Sequence, residues 1–144
     1  MSFYARGVLV SVALAGLLIA VQPVQAEYLR IQLKVYGLDC ELCARGVGFS
    51  VQRLDGVKSV DVSLKKGMLD IVLKRGNTFK MSALRKRIRE NGFRPMETTV
   101  TAVGQYNGSR FEVLGSGESY EIGNTDSKPS NPVEITFDAP QSLN

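Results

Sequence analysis

The amino-acid sequence predicts an α+β domain in which two helices cover one face of an antiparallel sheet. Apolar residues alternate with polar residues along several short segments, a pattern typical of strands with one buried face. Two other segments repeat apolar residues every three or four positions, as amphipathic helices do. The resulting order is strand, helix, strand, strand, helix, strand, which is the split β-α-β arrangement of ferredoxin-like domains.

The first half of this pattern begins at Tyr28. We expect a strand from Tyr28 to Val35 and then a helix that ends at Asp55-Gly56, because glycine commonly terminates helices. The side chains expected to face the core are Leu29, Ile31, Leu33 and Val35 in the strand and Val47, Val51 and Leu54 in the helix, which share one helical face with Cys43.

The second half contains a hairpin, a helix and a closing strand. Lys65-Lys66-Gly67 is a short turn between two apolar segments, which predicts a hairpin. The helix that follows carries an apolar stripe at Met81, Leu84 and Ile88. The predicted elements are strands over 57–64, 68–74 and 96–103 and a helix from Thr78 or Phe79 to Asn91-Gly92.

Residues 104–144 differ in composition from the rest and predict a small β-rich extension. Short apolar runs at 111–114, 120–122 and 133–137 favour two or three strands that can pair with the open sheet. We expect a loop over 124–132 and a frayed end over 141–144. The alternative is a disordered tail, but regularly spaced aromatic and β-branched residues argue against it. The predicted domain therefore covers residues 27–103, and the extension covers residues 104–144.

Residues 1–26 have the three parts of a secretory signal peptide. Arg6 provides a positive charge, Gly7 to Val21 form an apolar run, and Val24-Gln25-Ala26 places small residues before a cleavage site. The run is shorter than the roughly 20 apolar residues of a membrane-spanning helix. We therefore expect cleavage after Ala26 and a periplasmic or secreted protein with no membrane span. The exported chain keeps 17 basic and 14 acidic residues, too small an excess to indicate nucleic-acid binding.

The chain contains no histidine, and this absence limits the possible chemistry. It excludes Ser/His and Cys/His nucleophilic pairs and every zinc site that contains histidine. We expect a binding protein and not an enzyme. Any metal ion must be held by cysteine, carboxylate, methionine or backbone oxygen.

Two cysteines, Cys40 and Cys43, lie between the first strand and the first helix. Their spacing allows both sulfurs to point at one ion, and the helix N-terminus favours thiolates over thiols. Thiolates select soft d10 ions such as Cu(I), Zn(II), Cd(II) and Hg(II). A disulfide across so short a loop adds little stability, so the pair indicates a functional site and not a stabilising disulfide.

The segment Gly37-Leu38-Asp39-Cys40-Glu41-Leu42-Cys43 resembles the metal loop of the heavy-metal-associated domain family. That family includes copper chaperones, periplasmic mercury-binding proteins and the N-terminal modules of metal-pumping ATPases, and it carries Gly-Met-x-Cys-x-x-Cys in the same strand–helix order. Further matches are Val47, Leu54-Asp55-Gly56-Val57 and Gly92-Phe93, so the resemblance extends from about residue 28 to 101. It implies that the protein carries one soft metal ion bound by Cys40 and Cys43.

The resemblance also implies roles for the residues around the cysteines. Leu38 replaces the family's methionine and is expected to keep its packing under the loop, since leucine and methionine exchange at low cost. Phe93 is expected to shield the thiolates or to serve simply as a core aromatic residue. Asp39 stands where zinc, cadmium and lead pump modules have a third, oxygen ligand. The alternative is that Asp39 is a solvated loop residue or caps the helix.

Basic residues on the second helix imply, by the same resemblance, a docking face for an acidic partner. The residues named for this role are Arg85, Lys86 and Arg89. The partner would be a membrane metal transporter or another metal-binding domain, recognised through complementary charge. The alternative is that these charges only solvate the helix surface. Nucleic acid is not an expected partner, because the third strand carries no pair of aromatic residues for stacking on bases.

Two other functions remain open from the sequence. An exported C-x-x-C pair can act as a thiol–disulfide redox site, although the strand order does not follow a thioredoxin pattern. The protein can also be an interaction module in which the cysteines are incidental.

Overall fold

The computed structural model of the chain describes residues 27–113, 115–122 and 133–140. The elements are β1 (Tyr28–Tyr36), α1 (Glu41–Gln52), β2 (Val57–Ser63), β3 (Met68–Leu73), α2 (Met81–Glu90), β4 (Arg94–Asn107), β5 (Arg110–Val113), β6 (Glu118–Glu121) and β7 (Val133–Ala139). The signal peptide predicted for residues 1–26, the loop over 124–132 and the frayed end over 141–144 lie outside the described residues. None of the described helices is long and apolar enough to cross a membrane.

The first four strands form an antiparallel sheet in the order β2-β3-β1-β4. With two helices inserted after β1 and β3, this is the ferredoxin-like α+β fold, and the predicted fold class is confirmed. Ile31 in β1 lies opposite Ile71 in β3 on one side and Val100 in β4 on the other. All three side chains are fully buried, so the centre of the core lies at β1.

The start of β1 differs from the simple alternation expected for it. The pairing between β1 and β4 shifts register between Tyr28 and Arg30. Such a bulge reverses which side chains face inward. Tyr28 is therefore fully buried, whereas Leu29 is only half-buried and lies outside the core cluster, so the expectation that Leu29 faces the core is wrong.

Apolar side chains at the end of β2 and just beyond it are only partly buried. Val60, Val62 and Leu64 pack against the core but keep part of their surface exposed, as does Leu54 at the end of α1. The reason is that β2 is an edge strand, paired only with β3 among the described residues.

The C-terminal region forms strands that continue the sheet, as predicted, and a disordered tail is wrong for its described residues. β7 pairs with β4 from Thr98 opposite Ala139 to Gly104 opposite Val133. β5 pairs with the last residues of β4, and β6 pairs with β5. β4 is one continuous strand of 14 residues, so the boundary expected between residues 103 and 104 falls inside it.

Aromatic side chains pack the extension onto the domain. Phe137 of β7 contacts both Phe111 and Tyr120, with ring centres 5.7 and 4.9 Å apart. Gly104 makes this packing possible, because a Cβ atom there would lie 2.2 Å from the carbonyl oxygen of Glu112 and 2.6 Å from Phe111. Only glycine fits at so close an approach.

A partly buried polar network joins the same two regions. The Tyr28 hydroxyl donates to the Glu118 carboxylate at 2.5 Å and lies 2.5 Å from the Tyr120 hydroxyl. Glu118 also accepts the backbone N–H groups of Met81 at 2.9 Å and Ser82 at 3.4 Å. A side chain of β6 therefore caps α2, whose own first turn contains no acidic residue.

Candidate metal centre

Cys40 and Cys43 come together at the N-terminus of α1. Cys40 is the N-cap residue, with extended backbone, and Cys43 lies in the first helical turn. Their Cα atoms are 5.1 Å apart, and the two sulfurs are joined in a disulfide bond. The local sequence explains this arrangement, because a C-x-x-C pair that spans a helix start places both side chains at the same helix end.

The Cys43 backbone N–H donates a hydrogen bond to the sulfur of Cys40 at 3.0 Å. A helix N-terminus also carries partial positive charge. Both effects favour a thiolate at Cys40 once the disulfide is reduced, since each stabilises negative charge on that sulfur.

The cysteines differ in exposure. Cys40 is exposed, whereas Cys43 is half-buried and packs against the core. Leu42 between them is 80% exposed. A partner or a metal ion can therefore approach the pair from the solvent side of Cys40, while Cys43 stays anchored to the domain.

Two cysteine sulfurs can bind a soft ion that takes two ligands. Among the described residues, no third ligand lies beside the two sulfurs. The described residues contain no group of three or more cysteine, aspartate, glutamate or histidine side chains arranged to hold a metal. Asp39 is exposed in the loop. The capping role considered for Asp39 is taken by Cys40, whose own sulfur accepts the hydrogen bond.

The residues expected to support the loop lie beneath and beside it. Leu38 is buried in the core, 5% exposed, and Phe93 packs against the same core with part of its ring accessible. Gly37 adopts a φ of 88°, which favours glycine, and a Cβ atom there would lie 3.8 Å from the Phe93 ring. The loop therefore turns sharply at Gly37 with Phe93 as its neighbour.

The basic face expected on α2 is only partly formed. Lys86 and Arg89 are exposed, but Arg85 is 1% exposed, so its assignment to a docking face is wrong. Arg85 donates to the Thr98 hydroxyl at 3.2 Å and to the Pro140 carbonyl at 3.1 Å. Burial also lowers the pKa of its guanidinium.

Tyr36 and Arg94 lie at the same end of the domain and were not among the expected site residues. The Arg94 guanidinium carbon is 5.9 Å from the centre of the Tyr36 ring, a distance typical of a cation–π contact. Tyr36 falls on the exposed side of the β1 alternation, at 69% exposure. An aromatic residue at an exposed strand position was the signal that could have identified it.

Comparison with known proteins gives one family match. Residues 32–94 match the family described as heavy-metal-associated domain. No curated protein matches the chain.

Several solved structures are similar to about half of the chain. A copper-binding domain from HMA7, a P-type ATPase, is 25% identical, with 47% of this chain and 90% of that chain covered and a TM-score of 0.44. The CopZ metallochaperone is 25% identical, with 46% and 98% covered and a TM-score of 0.44. Oxidized MerP from Ralstonia metallidurans CH34 is 20% identical, with 48% and 94% covered and a TM-score of 0.44.

Proposed function

We propose that this protein, whose residues 32–94 match the heavy-metal-associated domain family, is an exported carrier of one soft metal ion bound by Cys40 and Cys43. The observation that carries the proposal is the pair of adjoining sulfurs at the exposed N-terminus of α1, inside the matched region. Thiolates at a helix N-terminus are suitable ligands for Cu(I), Hg(II), Zn(II) or Cd(II).

Metal binding on this proposal requires the reduced state. Two electrons and two protons convert the Cys40–Cys43 disulfide into two thiols, and each thiol then loses a proton when it binds the ion. The disulfide state leaves neither sulfur as a thiolate. The same pair of residues thus sets both whether a metal can bind and which class of metal binds.

The two-sulfur arrangement best suits ions that accept low coordination numbers, such as Cu(I) and Hg(II). We propose Asp39 as a third ligand for Zn(II) or Cd(II), brought in by movement of the exposed loop. Oxygen ligation fits a divalent ion better than Cu(I).

Transfer of the ion would proceed by ligand exchange at the exposed end of the domain. An incoming thiolate would bind the ion beside Cys40 and Cys43, after which one of these two cysteines would leave. We propose a membrane metal transporter or another metal-binding domain as the partner, docked through charge at Lys86 and Arg89. Arg85 has no part in this face because it is buried.

We further propose that cleavage after Ala26 releases the protein into the periplasm or the medium. Glu27 would then be the first residue. Its carbonyl accepts the N–H of Val103 at 2.8 Å, and its carboxylate accepts from Arg75 at 3.3 Å. Cleavage at this position would keep Glu27 and these two contacts in the exported chain.

The test of metal carriage is metal stoichiometry after reduction and anaerobic purification. We expect one soft ion per wild-type chain after dialysis against a competing chelator, and none in Cys40→Ser or Cys43→Ser. Leu42→Ala is the matched control, because Leu42 is exposed between the cysteines and contributes no ligand. Equal metal retention by a Cys40→Ser/Cys43→Ser double variant would contradict the proposal and would make the cysteines incidental.

A thiol–disulfide redox function is the second candidate, and the disulfide itself favours it. The N–H group that stabilises a Cys40 thiolate would serve redox exchange equally well. Oxidation of one dithiol substrate per chain by the metal-free disulfide form, which becomes the Cys40/Cys43 dithiol, would support this candidate if Cys40→Ser abolished it. Absence of this exchange together with one bound ion per chain would exclude it.

A further inference from the structure

A pocket of about 470 Å³ opens beside the metal loop, where β1 and α2 end and β4 begins. We call it the arginine pocket, and it is lined by Tyr36, Gly37, Arg89, Gly92, Phe93 and Arg94. Its walls are aromatic and glycine-rich, and its two charged side chains are both arginines. The pocket therefore combines a concave shape with positive charge.

Among the residues that the structure describes, the two arginines have no acidic partner, unlike their neighbours on α2. Lys86 and Arg87 both pair with Glu90, at 3.8 and 3.5 Å. Within the described part of the chain, the ion pairs include neither Arg89 nor Arg94. Arg94 instead lies over the Tyr36 ring, a contact that holds a guanidinium in place while leaving its N–H groups available.

Guanidinium groups are suited to carboxylates, because the planar N–H fork matches the two carboxylate oxygens. The volume falls within the roughly 300–1,000 Å³ of small-molecule pockets. A small anion with more than one carboxylate fits both the shape and the charge.

The pocket is also close to the cysteines. Gly37 lines it and precedes Cys40 by three residues, so their Cα atoms are at most about 11 Å apart. The pocket therefore borders the loop that carries the two cysteines.

We propose that the arginine pocket binds a small polycarboxylate, of the kind that chelates metal ions, and holds it next to Cys40 and Cys43. Carboxylate binding itself needs neither the metal nor reduced cysteines. The use of the pocket to bring a metal chelate to the thiolates rests on the proposed metal-carrying function.

The test is calorimetric titration of the purified, oxidised, metal-free protein with citrate at fixed low ionic strength. We expect saturable binding by wild type and at least tenfold weaker binding by Arg89→Gln/Arg94→Gln. Lys86→Gln is the matched control, because it removes one exposed positive charge from the same helix outside the pocket. The affinity of Lys86→Gln for citrate should stay within about twofold of that of wild type at the same ionic strength.

A second arm separates this inference from the proposed function. A Cys40→Ser/Cys43→Ser variant should bind citrate as wild type does, whatever the outcome of the metal experiment. No saturable citrate binding by wild type, or an equal loss in Lys86→Gln, would overturn the proposal. A hexaglutamate peptide that bound the same arginines more tightly than citrate would also overturn it, because the occupant would then be an acidic segment of a protein.

Discussion

The carboxylate of Glu118 accepts the backbone N–H of Met81 at 2.9 Å, across 37 residues of sequence. One end of this contact lies in the C-terminal extension and the other at the first residue of α2. The same carboxylate accepts the Tyr28 hydroxyl at 2.5 Å. Glu118 thus ties three elements together, and the extension is bonded directly to β1 and α2.

We predict that Glu118→Ala destabilises the fold by about 2 kcal/mol or more, because it leaves a buried hydroxyl and helix N–H groups without an acceptor. Urea unfolding followed by circular dichroism measures the change. Glu121→Ala on the same strand is the control, since Glu121 is exposed and should change stability by less than about 0.5 kcal/mol. Equal effects of the two substitutions would show that the Glu118 contacts do not stabilise the fold.

Stability should fall as the pH rises above about 10. Burial raises the pKa of both Tyr28 and Tyr120 well above that of a free tyrosine, which is about 10. The unfolded chain therefore releases these two protons at a pH where the folded chain still holds them. The contribution of these two protonated tyrosines to the free energy of unfolding is therefore complete below pH 10. Above pH 10 it falls by about 1.4 kcal/mol per pH unit for each tyrosine.

Tyr28→Phe/Tyr120→Phe tests this dependence, because it removes both protons and should flatten the alkaline decline in the free energy of unfolding. Tyr106→Phe is the control, since Tyr106 is only half-buried at the rim of the same aromatic cluster. A decline between pH 9 and 11 that is as steep in the double variant as in wild type would contradict the assignment.

Substitutions at two neighbouring positions of α2 should differ in how much they lower the free energy of unfolding. Arg85→Met should cost about 1–3 kcal/mol, because it leaves the buried Thr98 hydroxyl and the Pro140 carbonyl without their donor. Lys86→Met should change the free energy of unfolding by less than about 0.5 kcal/mol, as its side chain is exposed. Thermal unfolding of the two variants in the same buffer gives the comparison. An unchanged melting temperature for Arg85→Met would mean that the contacts of buried Arg85 do not stabilise the fold.

Asp39→Ala should change metal preference more than overall affinity. Loss of the carboxylate should weaken Zn(II) or Cd(II) binding about tenfold, equivalent to about 1.4 kcal/mol, and leave Cu(I) binding nearly unchanged. Paired competition titrations of the reduced wild type and the variant with Zn(II) and Cu(I) give the comparison. An equal loss for both ions, or none for either, would make Asp39 an ordinary solvated loop residue.

Sequence patterns predicted much of the fold because its signals are local. Alternation located the strands, and the position of C-x-x-C before an apolar stripe placed both sulfurs at a helix start. The short apolar runs after residue 104 correctly indicated further strands. Arg85 was a local signal that was overlooked, since it lies four residues after Met81 and three before Ile88, on the same helical face.

What the sequence determined by itself is therefore the order of strands and helices, the fold class and the presence of a cysteine pair at the start of α1. Each depends on residues within a few positions of one another. The tertiary structure alone decided that Tyr28 replaces Leu29 in the core, that Glu118 caps α2, and that Arg89 and Arg94 share a pocket with Tyr36. These features bring together residues that are distant in sequence or depend on a bulge in strand pairing, so no local period or spacing encodes them.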